Sequence, residues 1–396
     1  MPKDLVPMSS PDLTDAERRA VLEVLNTPVL SMGEQTLAFE DAVRNFCGAS
    51  QAIAVNSGTS GLHLCVRAAG IGAGDLVLTT PFSFIASSSV LLYENAVPVF
   101  MDVELNTGNI DPSRLAQAAE DLAKGGKAAE AWLPRKGATA RKPKAILAVD
   151  VFGQPADYNA ITAIAKKNDL VLIEDSCEAL GAEYKGKLAG RFGQMGVFAF
   201  YPNKQITTGE GGVIVTEDAL AADLMRALRN QGRAPGDTWL QHTQLGYNYR
   251  LPELSAALGR VQMQRLNELL AKREQVAAWY GERLKNIEHV EVQHLAAGTT
   301  RMSWFVYVIR LALRVSREKV AMLLAEAGIP TRPYFAPIHL QPFMKERFGY
   351  RPGDFPIAED LGRRGLALPF SSVMTEEQVD IVCKELKRAM PKAAEK

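Results

Sequence analysis

Seven short apolar runs, most of them followed by a stretch with helical spacing, leave this chain few folds to choose from. The runs are Ala52 to Val55, Leu76 to Thr79, Val97 to Met101, Ala145 to Val149, Leu170 to Ile173, Val197 to Phe200 and Val213 to Val215. Leu62 to Ala69, Ala86 to Tyr93, Tyr158 to Lys167 and Ala219 to Leu228 carry the helical spacing between them. Strands alternating with helices predict an α/β fold with a mostly parallel central sheet and helices on both faces. Ligands of such sheets sit beyond the carboxyl ends of the strands, so function is to be sought just after each run.

The flanks read differently. Residues 1 to 11 hold three prolines and predict an extended arm. Thr14 and Glu17 form a capping box ahead of a helix through Val21, Leu22, Val24 and Leu25, ended by Pro28. A second helix is predicted over Thr36 to Phe46, stopped by Gly48. Residues 121 to 144, rich in Lys, Gly, Ala and Arg, predict a mobile, non-catalytic surface excursion. From Pro252 to Leu284 one long helical pattern bridges to a second region. There a β-rich run from Trp304 to Leu311, a helix over Arg317 to Ala327 and a closing helix over Glu376 to Met390 predict a smaller α+β domain. The expected division is 1–265 for the arm and large domain and 266–396 for the small C-terminal domain.

Composition excludes several classes. With 47% apolar and 23% charged residues over 396 positions, the chain is globular and long enough for two domains. Lys plus Arg and Asp plus Glu both count 45, so no net field draws it to nucleic acid or an anionic membrane. Four dispersed cysteines show no metal-binding spacing, and neither a signal peptide nor an apolar membrane span is present, which predicts a cytoplasmic protein without a metal site.

Four strand exits carry candidate chemistry. Asn56-Ser57-Gly58-Thr59-Ser60-Gly61 leads into a helix, where unpaired amides and a partial positive charge suit a phosphate. Thr80-Pro81-Phe82-Ser83-Phe84 offers aromatic rings that could stack on a flat group. Asp175 follows the fifth run, and Lys204 stands between the last two, with glycines at 209, 211 and 212 turning the chain after it. Burial there would disfavour the ammonium form, as a nucleophilic amine requires. Each feature alone has a plainer reading: a capped turn, core aromatics, a helix cap, a solvated lysine. Together they match the needs of pyridoxal phosphate: Gly58, Thr59 and Ser60 around its phosphate, Phe84 on its ring, Asp175 on its pyridine nitrogen and Lys204 as Schiff base and proton shuttle. A carboxylate about 4 Å from the pyridinium is worth roughly 4 kcal/mol at an effective dielectric near 20, about three pKa units, enough to keep the ring protonated.

In these motifs the chain resembles the DegT/DnrJ/EryC1/StrS family of pyridoxal-phosphate-dependent sugar aminotransferases, of the aspartate aminotransferase-like type I fold. The matching segments include Gly33, Phe39-Glu40, Gly72 with Gly74-Asp75, Phe152-Gly153-Gln154-Pro155-Ala156-Asp157, Glu174-Asp175, Pro202-Asn203-Lys204, Gly209-Glu210-Gly211-Gly212, Leu245-Gly246-Tyr247-Asn248-Tyr249-Arg250 and Leu368-Pro369. The resemblance implies the cofactor roles already given to Lys204, Asp175, Phe84, Thr59 and Ser60. It further implies that Asn248 reaches the phosphate of the other subunit, hence a homodimer with shared active sites, and that Arg332, Tyr334 and His339 lie near the sugar. The implied reaction moves an amino group from glutamate or glutamine to a keto sugar, nucleotide-linked, with pyridoxamine phosphate as the intermediate form.

Three positions depart from the commoner family pattern. Glu178 stands beside the cofactor's phenolic oxygen where relatives have glutamine or histidine, Ala199 replaces a phosphate-binding serine, and Asp150 replaces a histidine. The excursion at 121–144 is also longer than in most relatives. Dehydratase relatives carry a histidine in place of the lysine, so Lys204 favours transamination. The alternatives are a dehydratase, an aminotransferase of a cyclitol or aminobenzoate precursor, a non-catalytic cofactor-binding regulator, or a nucleotide-binding protein without the cofactor.

Overall fold

The computed structural model describes residues 5–234, 236–238 and 240–394. The expected arm therefore lies in part outside the described residues; from Leu5 onward it docks, the Leu5 amide donating to Gly328 O (2.9 Å) and Val6 being buried. Helices α1 (Asp15–Leu25) and α2 (Glu34–Cys47) follow. Thr14 and Glu17 close the predicted capping box, and Gly48 ends α2 with φ 64°.

The central sheet then forms from strands β1 (Gln51–Val55), β2 (Leu76–Thr79), β3 (Val97–Phe100), β4 (Ala145–Val149) and β5 (Val171–Asp175). A hairpin of β6 (Glu183–Tyr184) and β7 (Lys187–Leu188) precedes the last two sheet strands, β8 (Met195–Ala199) and β9 (Gly212–Thr216). The order across the sheet is β1-β9-β8-β5-β4-β2-β3, with β9 antiparallel to both neighbours and every other pairing parallel. The crossovers use α3 (Gly58–Ala68), α4 (Ala86–Tyr93), α5 (Pro112–Lys124), α6 (Gly126–Glu130) and α7 (Tyr158–Asn168), and α8 (Ala219–Arg229) follows β9.

Side chains alternate across each strand, so one strand feeds two cores. On β4, Ala145, Leu147 and Val149 enter one apolar cluster, while Ile146 and Ala148 enter the one on the opposite face. That two-sided burial is why the runs read as continuously apolar in the sequence.

Helices α9 (Glu253–Gln264) and α10 (Leu266–Leu284) replace the expected single long helix. The break is at Arg265, whose amide turns back to Gln262 O (3.1 Å) and whose guanidinium reaches Asp12 and Glu17 near the start of the chain. Beyond it a second, antiparallel sheet of β10 (Val290–Glu291), β12 (Tyr307–Leu311) and β13 (Gly365–Leu368) packs with α11 (Arg317–Glu326) and α14 (Glu376–Ala393) around its own apolar cluster. Strand β11 (Thr299–Arg301) joins the β6–β7 hairpin instead, and α12 (Pro342–Phe348) and α13 (Pro356–Arg364) cover the space between the sheets.

Two further expectations need correction. The run from Trp304 is a strand only from Tyr307, because the amides of Ser303 and Phe305 pair with Gly153 O and Phe152 O at the exit of β4. The excursion at 121–144 is partly helical, as the end of α5 and α6, and is tied down: Trp132 Nε1 donates to Asp121 (2.9 Å) and the Arg135 fork grips both oxygens of Asp354 (2.6 and 2.8 Å).

At the start of β9 two segments pass so closely that only glycine fits. A Cβ on Gly212 would lie 2.8 Å from Ser57 O and 2.9 Å from Gly58 N, both backbone atoms at the entry to α3. We expect Gly212→Ala to cost roughly 1 to 3 kcal/mol of stability in urea unfolding, since backbone must shift to admit the methyl group.

Candidate active site

The exits of β1, β8, β5, β4 and β2 lie side by side along one end of the sheet, and each brings a polar group to it. At the exit of β1, Ser57 caps α3, its hydroxyl oxygen accepting from the Ser60 amide (3.0 Å). Ser60 donates its hydroxyl to Asn56 Oδ1 (2.6 Å), so its amide and hydroxyl are both spent inside the turn. The first-turn amides of Gly58 and Thr59 have no acceptor within the helix and stand at the end where the helix dipole is positive.

Asp175 is the last residue of β5, not a loop residue beyond it, and pairs with Val197 of β8. It is buried, with Oδ2 accepting from the Ser87 hydroxyl (2.6 Å) and Oδ1 from the Cys177 amide (3.2 Å). Ser87 sits in the first turn of α4, and its hydroxyl also touches Phe84 O (3.2 Å), hooking the β2 exit onto the carboxylate. The two aromatics of that exit part ways. Phe82 is core, edge-on to Phe152 and Phe335, while Phe84 is 61% exposed.

Lys204 follows β8. Its side chain is only 12% exposed, with Nζ 3.8 Å from Glu178 Oε1 and 3.7 Å from the centre of the Phe305 ring. Glu178 is buried too, its Oε2 held by the Phe152 amide (2.8 Å). Burial pushes the Glu178 carboxyl up to about 7, against the pull of the Lys204 ammonium, while the charge of Asp175 adds to the push. Asp150, at the end of β4, is fully enclosed and pushed up to about 7 by burial, although Ser176 and Tyr158 hydroxyls and the Ala156 amide all donate to it.

Of the residues expected near a substrate, Tyr334 lines a cleft with Phe82, Phe152, Gln154, His294 and Arg310. Burial raises its phenol, which feels Glu178 on one side and Arg332 on the other. Arg332 itself is exposed and bonds Thr331 O. His339 has no exposed surface: its Nε2 pairs with Glu359 (2.9 Å), and Phe355 and Tyr350 pack edge-on against it, so it is enclosed in the core beneath α13. Asn248 has an exposed side chain, and the Asn56 amide donates to the neighbouring Tyr249 O (2.9 Å). Ser87 and Phe305 were not anticipated. A serine in a helix and a phenylalanine before a strand carry no local signal.

The profile of the family described as DegT/DnrJ/EryC1/StrS aminotransferase matches residues 11–387. The chain is 36% identical to the GDP-perosamine synthase of Caulobacter vibrioides over 97% of its own length and 98% of that protein's. A DegT DnrJ EryC1 StrS aminotransferase from Brucella abortus superposes with a TM-score of 0.84 at 31% identity, covering 94% of this chain and 95% of that one. Helicobacter pylori PseC, an aminotransferase involved in the biosynthesis of pseudoaminic acid, superposes with a TM-score of 0.87 at 29% identity over 98% and 100%.

The raised Glu178 carboxyl has a consequence for stability. Its folded pKa, about 7, exceeds the ordinary 4.5, so the proton binds more tightly in the folded chain; the resulting stabilisation is full below 4.5 and is lost as pH rises through about 7. Glu178→Gln cannot ionise. In melts of the cofactor-free protein, its Tm minus that of wild type should grow by a few degrees from about pH 5 to about pH 8, and a constant difference would contradict the assignment.

Proposed function

Because the chain belongs to the DegT/DnrJ/EryC1/StrS aminotransferase family, pyridoxal-phosphate-dependent enzymes acting on sugars, we propose that it transfers an amino group from glutamate or glutamine to the keto group of a nucleotide-linked sugar. The observation that carries the reading is one neighbourhood: Asp175 ends β5 opposite Val197 of β8, and the buried Lys204 amine just beyond β8 lies 3.8 Å from Glu178. The relative named GDP-perosamine synthase supports a nucleotide-linked acceptor.

The residues present fit the cofactor. Gly58 and Thr59 would hold its phosphate through backbone amides, with the Thr59 hydroxyl beside them and Ser60 bracing the turn. Phe84, exposed at the β2 exit, would cover one face of the ring. Asp175, fixed by Ser87 and Cys177, would keep the ring nitrogen protonated, and Glu178 would stand at the phenolic oxygen. When bound, the group supplies an aldehyde that takes up amines and a ring that draws electrons from the carbon next to the nitrogen.

The chain's own residues do the rest. Lys204 Nζ would hold the cofactor, and as a free amine it would take the proton from the donor's Cα and return it. Glu178, with Phe152 N–H on its other oxygen, sets the charge beside that amine. Tyr334, in the wall of the cleft, and the exposed Arg332 close to it in sequence would meet the sugar. We further propose a cytoplasmic homodimer in which Asn248 reaches the phosphate held by a second copy. Donor and acceptor use the site in turn, which gives ping-pong kinetics.

Incubation with glutamate or glutamine and a panel of nucleotide-linked keto sugars, GDP-linked ones first, with product followed by mass, tests the reaction; a product lacking the added amine would point to a dehydratase. Lys204→Ala should abolish borohydride-trapped cofactor while the protein still folds, and slow turnover by roughly a hundredfold to ten-thousandfold. Asp175→Ala should retain weak cofactor binding yet slow turnover about a thousandfold, the equivalent of three lost pKa units at the ring nitrogen. Near-wild-type turnover in either variant would refute its assigned role.

A further inference from the structure

Behind the lysine lies a buried cation with an unusual set of acceptors. Arg273, on α10, is 2% exposed, and among the described residues no carboxylate lies within ion-pair distance of it. Its guanidinium instead caps four backbone carbonyls in two separate segments. Nη2 donates to Asn203 O (3.2 Å) and Lys204 O (2.5 Å), and Nη1 donates to Trp304 O (3.1 Å) and Phe305 O (3.2 Å). The Phe370 ring packs 5.6 Å from the guanidinium carbon. Burial pulls the group down to about 10, so it remains a cation at neutral pH.

The two segments are the ones that flank the Lys204 amine. One carries the lysine at its root, and the other carries Phe305, whose ring centre lies 3.7 Å from Nζ. A guanidinium is a flat fork of fixed donors, so carbonyls bound to it in pairs cannot shift independently. Burying a charge without a counter-ion costs several kcal/mol, offset only in so far as its hydrogen bonds are satisfied; here four backbone carbonyls take up both Nη groups, while Nε–H is left without a partner. We infer that Arg273 is a positioning residue for the amine: by clamping the root of Lys204 and the Phe305 segment into one rigid unit, it sets where Nζ can reach. The inference rests on the reading of Lys204 as the cofactor's attachment point.

The decisive variant is Arg273→Met, which keeps a long apolar stem and removes the fork; Arg273→Lys restores charge without the planar geometry. In cofactor-free Arg273→Met, amide hydrogen exchange of residues 203–206 and 304–306 should rise together, while β5 and β8 stay protected. On adding pyridoxal phosphate, borohydride-trapped attachment at Lys204, read by peptide mass, should form about a hundredfold more slowly, the scale of an ångström misplacement. Arg273→Lys should recover part of that rate.

Exchange that rises in only one segment would overturn the clamp. Attachment at the wild-type rate despite raised exchange would reduce Arg273 to a fold staple and overturn its role toward the amine. If Arg273→Met does not fold, Arg273→Lys decides alone: both segments loosened with slower attachment support the clamp, and wild-type behaviour in both refutes it. A wild-type protein that forms no trapped bond at Lys204 would sink the proposed reaction instead, leaving the exchange measurement to judge the clamp.

Discussion

Parallel pairing of β5 with β8 is the constraint on which the site depends. With Asp175 opposite Val197, the acid at the end of one strand and the lysine beyond the end of the next emerge at the same edge of the sheet. The antiparallel β9 returns to that edge at Gly212 and brings β1 alongside, which places the α3 entry next to β8 although well over a hundred residues separate them in sequence. A slip of one residue in β5 would turn Asp175 to the opposite face. The register is held because alternate residues of these strands enter different cores, so a slip would expose or misplace a whole row of apolar side chains.

Hydrogen bonding then sorts the buried acids by task. Glu174 receives the amides of Gly190, Phe192 and Gly193, which occupy both of its oxygens. Asp150 receives Ala156 N–H and the Tyr158 and Ser176 hydroxyls. These two bind chain to chain. Asp175 and Glu178 each take fewer protein donors, Ser87 and Cys177 for the first and Phe152 for the second, and Glu178 lies 3.8 Å from the Lys204 amine. Unspent lone pairs in a buried carboxyl are costly, and that surplus distinguishes residues poised for a ligand from those that staple the fold.

Most of the framework was legible because its signals are local. The continuously apolar runs, the Thr14–Glu17 box and the Gly48 stop all act within a few residues, and the structure matches them. Asp175 and Lys204 could be named because strand exits are where such folds place chemistry. What supports them could not. Ser87 reaches Asp175 across 88 positions and Arg273 reaches Lys204 across 69, through packing that no window of sequence encodes. The burial of His339 was hidden in the same way: Glu359 and two aromatic rings from later in the chain draw it inward, and nothing in its proline-bounded segment encodes them. The 252–284 pattern misled in another way, since helical spacing continues through Arg265 while distant acids draw its side chain away.

The alanine at position 199 follows from how tightly α3 is pressed onto the sheet. A Cβ built on Gly58 would fall 2.6 Å from Ala199 Cβ and 2.9 Å from Cys177 Sγ, so the helix entry touches the end of β8 with no room to spare. Ala199 pairs with Gly212, which closes on Ser57 and Gly58 from the other side. A serine here would add a hydroxyl to this contact; with alanine, β8 offers no side-chain donor at this point, and the polar groups at the α3 entry are its own amides and the Thr59 hydroxyl. Backbone donors cannot be lost by changing their own side chains, but they can be displaced by a methyl group at 58 or 212. The α3 end of this strand edge is therefore shaped by where side chains are missing, and the Lys204 end by a buried guanidinium bonded to its backbone.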